Sequence, residues 1–187
     1  ASVMDAGSKL KVIGRAGVGV DNIDLDAAKV HSIAVVNAPV STSLAVAELT
    51  FGLMLALARE IPRADSGMKQ DKWLKKELEG VELNGKTLGV VGFGRIGVEV
   101  GRRAAAFGMN VIAYDPYLQP ARAAQLDVRL VDLDTLLAEA DFITIHLPKT
   151  KETANLIGVE ALKKVKPTVR IINAARGGVL DEEALYD

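Results

Sequence analysis

The chain of 187 residues is 49% hydrophobic and 25% charged, a globular composition long enough for one full domain and part of another. Its net charge of −1, from 23 basic and 24 acidic residues, offers no electrostatic attraction for nucleic acid or an anionic membrane. The absence of cysteine excludes disulfides and thiol catalysis, and the longest apolar run, 44–58, is shorter than the roughly 20 residues of a membrane span. We therefore expect a cytoplasmic protein with a small-molecule partner and no metal site.

The first block of the chain is predicted to contain the end of a helix, a strand, a loop, a second helix and a second strand. These elements cover residues 3–8, 11–15, 16–22, 24–29 and 33–37, and Asp24 is a plausible N-cap of the second helix. The block begins abruptly, because no strand precedes it to complete a sheet. We interpret residues 1–38 as the tail of one domain and residues 39–187 as a second domain.

A long helix is predicted after Pro39, which interrupts the pattern of the first block. Thr42 or Ser43 can cap this helix, which ends near Arg59. It is apolar nearly all round, so we expect it to be buried. Such a helix can connect two domains, lie in a subunit interface or be an ordinary core helix. Farther along, Trp73 stands among lysines and can be a contact anchor or the cover of a local apolar cluster.

The most informative stretch is a strand, a glycine turn, a helix and a second strand. An apolar run at 87–91 predicts the first strand, and Gly92 to Gly97 follow it as a G-x-G-x-x-G motif. A helical pattern then continues to about Phe107, where Gly108 is placed to stop it. The second strand, 110–114, ends at Asp115.

Each glycine of the motif has a physical reason in a dinucleotide site. Gly92 permits the tight turn, Gly94 lets backbone N–H groups approach a pyrophosphate, and Gly97 lets the helix pack against the strand. The N-terminus of the helix presents unpaired N–H groups and a partial positive charge to that anion. The alternative is a glycine turn that only joins a strand to a helix.

The acidic residue at the end of the second strand distinguishes these two interpretations. Asp115 lies 18 residues after Gly97, and the dinucleotide fingerprint has a carboxylate roughly 20 residues on that accepts from a ribose hydroxyl. Pro116 and Tyr117 follow it, and neither is an arginine that could hold a 2′-phosphate. This favours NAD over NADP.

The remaining elements alternate between helix and strand. Helices are predicted at 120–126, 133–139, 153–157 and 159–165, strands at 128–131, 142–146 and 169–173, and a last helix from Asp181. This alternation predicts an α/β fold with a doubly wound parallel sheet of Rossmann type. Ligands of such sheets bind beyond the carboxyl ends of the strands, where Gly92, Asp115, His146 and the segment 174–178 are expected to converge.

Arg176 is the candidate catalytic side chain at this edge. A guanidinium can hold a carboxylate in a bidentate fork and polarise a carbonyl, and small residues flank it on both sides. Transfer of a hydride to or from a hydroxy acid also needs a general base, usually a histidine. His31 lies in the first block, and His146 can be that base or, with Pro148 two residues later, part of a turn that shapes a cofactor pocket.

Six stretches of the chain resemble the D-isomer-specific 2-hydroxyacid dehydrogenase family. They are RAGVGVDNID (15–24), AELTFGLMLALAR (47–59), ELNGKTLGVVGFGRIG (82–97), YDPY (114–117), HLP (146–148) and NAARGGVLDEEAL (173–185). The resemblance covers nearly the whole chain, and it is strongest to the branch that oxidises 3-phosphoglycerate in serine biosynthesis. It implies a Rossmann domain, incomplete at its C-terminal end, and part of a flavodoxin-like substrate domain.

The resemblance also implies roles for individual residues. Around NAD it assigns the pyrophosphate to Gly94, Arg95, Ile96 and Gly97, and the adenosine ribose to Asp115. Gly92 and Pro116, which lie next to these residues in the sequence, are also expected to be cofactor-binding. The nicotinamide side would be lined by Val18, His146, Leu147, Pro148, Ala174, Ala175 and Arg176. Arg176 would be the catalytic arginine, Arg15 would lie near the substrate phosphate, and the amides of Gly17 and Val18 could bind the substrate carboxylate.

The chain departs from the family in one respect. The catalytic glutamate and histidine of the family come from strands beyond the position that matches Asp187. We therefore expect an internal piece of a homodimeric or homotetrameric enzyme, without turnover by itself. Two alternatives remain open for the whole protein: a glyoxylate or hydroxypyruvate reductase, and a corepressor-like protein that senses NAD(H) without catalysis.

Overall fold

The structure, a computed structural model, describes residues 2–187 and divides the chain into two compact units. The first unit ends at Leu44, and the second covers Ala45–Asp187. This boundary lies six residues after residue 38, the boundary predicted from the sequence. That the first unit is the tail of a substrate domain stays a prediction.

The first unit contains two short helices and two parallel strands. Its elements are α1 (Ser2–Ala6), β1 (Val12–Arg15), α2 (Leu25–Val30) and β2 (Ala34–Asn37). Strands β1 and β2 pair in parallel, from Val12 with Ala34 to Arg15 with Asn37. The predicted N-cap is confirmed, because Asp24 Oδ1 accepts a hydrogen bond from the Ala27 N–H at 2.8 Å. The four elements are close to those expected from the sequence.

The second unit is a five-stranded parallel sheet with helices on both faces. Its strands, β3 (Thr87–Val91), β4 (Asn110–Tyr114), β5 (Arg129–Leu130), β6 (Phe142–Ile145) and β7 (Arg170–Asn173), lie in the order β5-β4-β3-β6-β7. Its helices are α3 (Ser43–Ala58), α4 (Ile61–Met68), α5 (Arg95–Ala106), α6 (Pro120–Gln125), α7 (Leu133–Glu139), α8 (Val159–Leu162) and α9 (Glu182–Tyr186). The predicted Rossmann-type architecture is confirmed.

The register of the sheet brings four strand ends to one edge. Val91 of β3 lies opposite Tyr114 of β4 and Ile145 of β6, and Ile145 lies opposite Asn173 of β7. Because all these pairs are parallel, the residues after the four strands emerge on the same side of the sheet. The convergence expected from the sequence therefore follows from topology.

Both faces of the sheet are covered, which explains the apolar runs of the central strands. Along β3, Leu88 and Val90 belong to one buried cluster, whereas Val91 belongs to another. The first cluster contains residues of α3 and α5, and the second contains residues of α7. A strand whose alternate side chains are buried on opposite faces must be apolar throughout.

Helix α3 differs from the sequence analysis in its burial. Ala47, Met54 and Ala58 are fully buried, but Leu53 is 41% and Leu57 48% exposed. The expectation of a helix buried all round is therefore wrong for this chain. Only one side of the helix packs into the cluster against the sheet, and leucines at spacings of four residues lie on the other side.

The segment predicted as a helix at 153–157 forms turns instead. The Thr153 hydroxyl donates to the Pro148 carbonyl and accepts from the Thr150 N–H, both at 2.7 Å, and Asn155 has a φ of 51°. Side-chain hydroxyls that bond the local backbone compete with helix formation. Helix α8 is correspondingly short and ends at Leu162.

Helix α4 and the environment of Trp73 were not apparent from the sequence. No helix was predicted between Arg59 and Trp73, yet α4 forms there with Pro62 in its first turn. Trp73 is 76% exposed, so it does not cover a local apolar cluster in this chain. The alternative, that it anchors a contact, stays a prediction.

Asp141 joins the amino ends of three neighbouring strands. Its Oδ2 accepts from the Thr87 N–H at 2.9 Å, and its Oδ1 accepts from Lys166 Nζ at 2.8 Å. Its backbone N–H donates to the Thr87 carbonyl, and its carbonyl accepts from the Arg170 N–H. Burial raises the pKa of Asp141, but the hydrogen bonds from Lys166 and Thr87 outweigh it and hold the pKa below its ordinary value of 3.8.

We predict that Asp141→Ala lowers the free energy of unfolding by about 1–3 kcal/mol, because the variant loses hydrogen bonds to a charged, partly buried acceptor. Because the folded-state pKa is depressed, this stabilisation is present above the unfolded-state pKa and is lost as the pH falls through the folded-state value. The difference between the two proteins should shrink below about pH 4 in urea titrations.

The matched control is Asp134→Ala, which removes a more exposed carboxylate from an ion pair with Lys164. Such a pair contributes less than about 1 kcal/mol. Equal losses of stability in the two variants would contradict the bridging role of Asp141.

Candidate functional site

The glycine turn after β3 begins at Gly92, whose backbone only glycine adopts without strain. Its φ is +93°, and a Cβ built there would lie 2.8 Å from the Leu147 side chain and 3.0 Å from the His146 carbonyl carbon. Its N–H donates to the Tyr114 carbonyl at 2.8 Å. The turn is therefore held between the ends of β4 and β6.

Gly97 and Gly94 differ in what surrounds them. A Cβ on Gly97 would lie 2.4 Å from the Gly92 carbonyl oxygen, so a side chain there would push α5 away from β3. A Cβ on Gly94 would meet nothing within 4 Å. In the dinucleotide fingerprint, the third glycine allows the helix to pack closely against the strand, as Gly97 does here. The second glycine leaves room for a pyrophosphate, as Gly94 does.

The N-terminus of α5 is open to an anion. Gly94 is its N-cap residue and makes no side-chain capping hydrogen bond, and both Gly94 and Arg95 are exposed. The first N–H groups of a helix have no partner within the helix and carry a partial positive charge. The turn therefore fits a pyrophosphate, in both shape and charge.

Asp115 lies beside this turn at the end of β4. Its Oδ2 accepts from the Phe93 N–H and its Oδ1 accepts from the Tyr117 N–H, both at 2.9 Å. Each carboxylate oxygen can accept a further hydrogen bond, so sugar hydroxyls can still be bound. The following residues, Pro116 and Tyr117, are exposed and uncharged. A negative charge without an adjacent cation suits a ribose diol and repels a 2′-phosphate.

His146 follows β6 at the same edge, and its backbone N–H donates to the Val91 carbonyl at 2.8 Å. Its Nε2 lies 2.9 Å from the Thr144 hydroxyl, and its Nδ1 is buried without a partner among the described residues. Burial lowers the pKa of His146 to about 4. A weakly basic imidazole with one nitrogen already engaged is poorly suited to act as a general base near neutral pH.

The loop after β7 carries Arg176 and is shaped by Asn173. The Asn173 side chain accepts from the Ala175 N–H at 3.1 Å and donates to the Arg176 carbonyl at 2.9 Å. The Arg176 guanidinium donates to the Ala175 carbonyl at 2.9 Å, and the residue is exposed. Asn173 was not among the predicted site residues, although asparagine side chains often bond the backbone two residues on and so form turns.

The other residues expected near the nicotinamide lie on the two loops after β6 and β7. Leu147 is half-buried and contacts the glycine turn, as the distance from Gly92 indicates, whereas Pro148 is exposed. Ala174 and Ala175 are half-buried. Because β6 and β7 are neighbours, both loops emerge at the same edge.

Arg15, Gly17 and Val18 belong to the first unit. Arg15 is exposed, and its Nε donates to the Gly19 carbonyl at 3.2 Å. The Gly17 N–H donates to the Arg15 carbonyl at 2.9 Å, so this amide is engaged within its own loop. The Val18 carbonyl accepts from the Asn37 side chain at 2.8 Å. Their assignment to substrate and nicotinamide stays a prediction.

An apolar cavity of about 510 Å³ is lined by residues of α3, α4 and β7 and reaches Asn173 at the carboxyl end of that strand. Its lining includes Leu53 and Leu57 of α3, Arg63 of α4, and Ile171 and Ile172 of β7. Among residues 2–187, no group of three or more histidines, cysteines or carboxylates could hold a metal ion. In the same part of the chain, no helix is long and apolar enough to cross a membrane. The carboxyl edge of the sheet remains the candidate site.

Comparisons with known proteins agree with this geometry. Residues 51–187 match the model of the D-isomer specific 2-hydroxyacid dehydrogenase family, NAD binding domain. All 187 residues are 54% identical to D-3-phosphoglycerate dehydrogenase of Archaeoglobus fulgidus and 56% identical to that of Mycobacterium tuberculosis H37Rv. The chain spans 36% and 35% of these two relatives. It also matches hydroxypyruvate reductase of Thermotoga maritima, at 54% identity over 60% of that protein.

Solved structures of related enzymes share the fold. The apo structure of D-lactate dehydrogenase from Escherichia coli superposes with a TM-score of 0.89 at 38% identity, covering 98% of this chain and 58% of that one. D-Lactate dehydrogenase from Aquifex aeolicus, complexed with NAD and lactic acid, superposes with a TM-score of 0.88 at 38% identity, covering 99% and 56%. The chain therefore belongs to the D-isomer specific 2-hydroxyacid dehydrogenase family and contains its NAD-binding domain.

Proposed function

We propose that the whole protein oxidises 3-phosphoglycerate to 3-phosphohydroxypyruvate with NAD, the first step of phosphorylated serine biosynthesis, in the cytoplasm. The observation that carries the cofactor assignment is the open N-terminus of α5 beside the carboxylate of Asp115. The substrate assignment is supported by relatives named D-3-phosphoglycerate dehydrogenase that are 54–56% identical over the full chain.

The proposed cofactor site has three parts, which would bind the pyrophosphate, the adenosine ribose and the nicotinamide of NAD. The amides of Gly94 to Gly97 would bind the pyrophosphate, and Asp115 would accept from the adenosine ribose. The nicotinamide would lie along the loops after β6 and β7, against His146, Leu147, Pro148, Ala174 and Ala175. When bound, NAD supplies the hydride acceptor.

Arg176 is proposed to orient the substrate. Its guanidinium can hold the substrate carboxylate in two parallel hydrogen bonds. It can also polarise the carbon–oxygen bond of the hydroxyl group that the reaction converts to a carbonyl. Asn173 would position Arg176 by fixing the turn that precedes it. Arg15 would bind the phosphate, a role for which an exposed guanidinium at the end of a strand is chemically suited.

The proton of the substrate hydroxyl needs a base that these residues do not supply. The chain has two histidines. His146 is half-buried and its pKa is lowered to about 4, and His31 lies 2.9 Å from Asp5 in the first unit. We propose that the base comes from a part of the protein outside these 187 residues.

Hydroxypyruvate reductase is the second candidate, since the relative from Thermotoga maritima is 54% identical over the same residues. The two functions differ in whether the substrate carries a phosphate. With the full-length gene product, the ratio of kcat/KM for 3-phosphoglycerate to that for glycerate separates them. A higher kcat/KM for glycerate would contradict the proposed phosphoglycerate dehydrogenase activity and support a hydroxypyruvate reductase.

The 187-residue chain itself should bind NADH without turnover, because binding uses the glycine turn and Asp115 whereas catalysis needs the absent base. Titration calorimetry should detect NADH binding, and an absorbance assay with NAD and 3-phosphoglycerate should show no NADH formation. Turnover by this chain would contradict our assignment of the base, and the full-length protein is the positive control.

Replacing Asp115 by asparagine should weaken NADH binding about tenfold, because a hydrogen bond to a charged acceptor is lost. The affinity for NADPH should fall less, since the carboxylate that repels the 2′-phosphate is removed. Asp127→Asn is the matched control, because Asp127 is exposed and asparagine tolerates its φ of 52°. Unchanged NADH affinity in Asp115→Asn would refute the proposed ribose contact.

We also propose that the protein is a homodimer or homotetramer that buries the exposed face of α3. Leu49, Leu53 and Leu57 form a stripe on this face and are 41–56% exposed. In the full-length protein, Leu53→Glu combined with Leu57→Glu places two charges in the proposed interface. The mass measured by sedimentation should then fall roughly to that of the monomer. Val159→Glu, at a 53% exposed site on α8, should leave the mass unchanged.

A further inference from the structure

Phe93, the second residue of the glycine turn, is buried although the next residue, Gly94, is exposed. It is 3% exposed, and its ring lies against Gly101 of α5. A Cβ built on Gly101 would lie 2.9 Å from Phe93 Cζ and 3.1 Å from Cε2. The dinucleotide fingerprint contains neither this aromatic ring nor this fourth glycine, which follows Gly97 by four residues.

The backbone of Phe93 is held from the opposite direction. Its N–H donates to Asp115 Oδ2 at 2.9 Å, so the residue is tied to the end of β4. Its ring is tied to α5. Phe93 lies between Gly92, which has a positive φ, and Gly94, around which the structure is open. Phe93 is therefore held at two points, its ring by α5 and its backbone N–H by Asp115.

We propose that Phe93 is a positioning residue for the pyrophosphate of NAD, and that Gly101 is glycine in order to seat its ring. This inference rests on the proposed function of the turn. A turn with glycine at two of its first three positions has many accessible conformations, and ordering it upon binding reduces affinity. The seated ring and the bond to Asp115 restrict those conformations before the ligand arrives.

The alternative is that the ring only fills the core, since Phe93 belongs to the same buried cluster as Val100 and Ala104. A role limited to packing would change the stability of the folded protein but not the NADH affinity of the molecules that remain folded. A positioning role changes the affinity, and it also changes the exchange of the Phe93 amide in the absence of ligand.

The first test is Gly101→Ala, which places a methyl group where the ring lies. The ring must give way, and because it is buried in the cluster we expect its displacement to shift the turn. We expect NADH binding to weaken on the order of tenfold, as misplaced binding groups do. By NMR, hydrogen exchange of the Phe93 amide in the ligand-free chain should become faster. Gly52→Ala is the matched control, because Gly52 also lies in a helix but has nothing within 4 Å of its built Cβ.

The second test removes the two ring atoms nearest to Gly101. Phe93→Leu lacks Cζ and Cε2, so alanine at position 101 should fit in that background. We expect Gly101→Ala to weaken NADH binding in the native background and to have an effect of less than about twofold in the Phe93→Leu background, as a double-mutant cycle measures. If Gly101→Ala alone does not fold, Phe93→Leu alone still tests the proposal. Its NADH affinity should be lower than that of the unchanged chain, and hydrogen exchange of its residue-93 amide should be faster.

The outcomes separate the inference from the function on which it rests. Failure of the unchanged chain to bind NADH would refute the proposed cofactor site itself. If the unchanged chain binds NADH and Gly101→Ala binds it equally well, only the positioning role is refuted. An equal loss of affinity on Gly101→Ala in both backgrounds would also refute it, because the loss would then not pass through the ring.

Discussion

The contact between helix α5 and the end of strand β3 is the constraint on which the candidate site depends. A Cβ on Gly97 would lie 2.4 Å from the carbonyl oxygen of Gly92, so the helix begins as close to the strand as a backbone allows. This distance directs the first amides of the helix toward the edge where the neighbouring strands also end. Asp115 then reaches the Phe93 N–H from β4, and His146 reaches the Val91 carbonyl from β6.

The two loops on the other side of this edge have a different chemistry. The loop after β6 presents a half-buried imidazole, whose pKa burial lowers to about 4, and a leucine that contacts the glycine turn. The loop after β7 presents an exposed arginine whose preceding turn is fixed by Asn173. These two surfaces suit the proposed roles, because half-buried side chains can lie against a nicotinamide ring and an arginine can bind a carboxylate. The two loops follow adjacent strands.

Much of the fold was predictable because the local signals agree with the tertiary structure. Strands β3 and β4 and helix α7 lie where the sequence analysis expected them, and Asp24, Asp132 and Asp181 cap their helices through side-chain hydrogen bonds. The segment 153–157 was mistaken for a helix because its threonine hydroxyls bond the local backbone, which apolar periodicity does not reveal. The exposed leucines of α3 were mistaken for buried ones, because the sequence does not tell which surface covers an apolar face.

The sequence by itself determined the alternation of strands and helices, the glycine motif and the acidic residue that follows the second strand. These depend on residue types at short spacings, where local sterics and hydrophobic periodicity act. Only the tertiary structure decided that the Phe93 ring lies on Gly101, that Asp115 bonds the turn, and that the half-buried His146 contacts Thr144. Those contacts join residues on different elements or depend on the depth of burial. The physical reason is that the packing of α5 and β6 against β3 sets such distances, and no local pattern contains them.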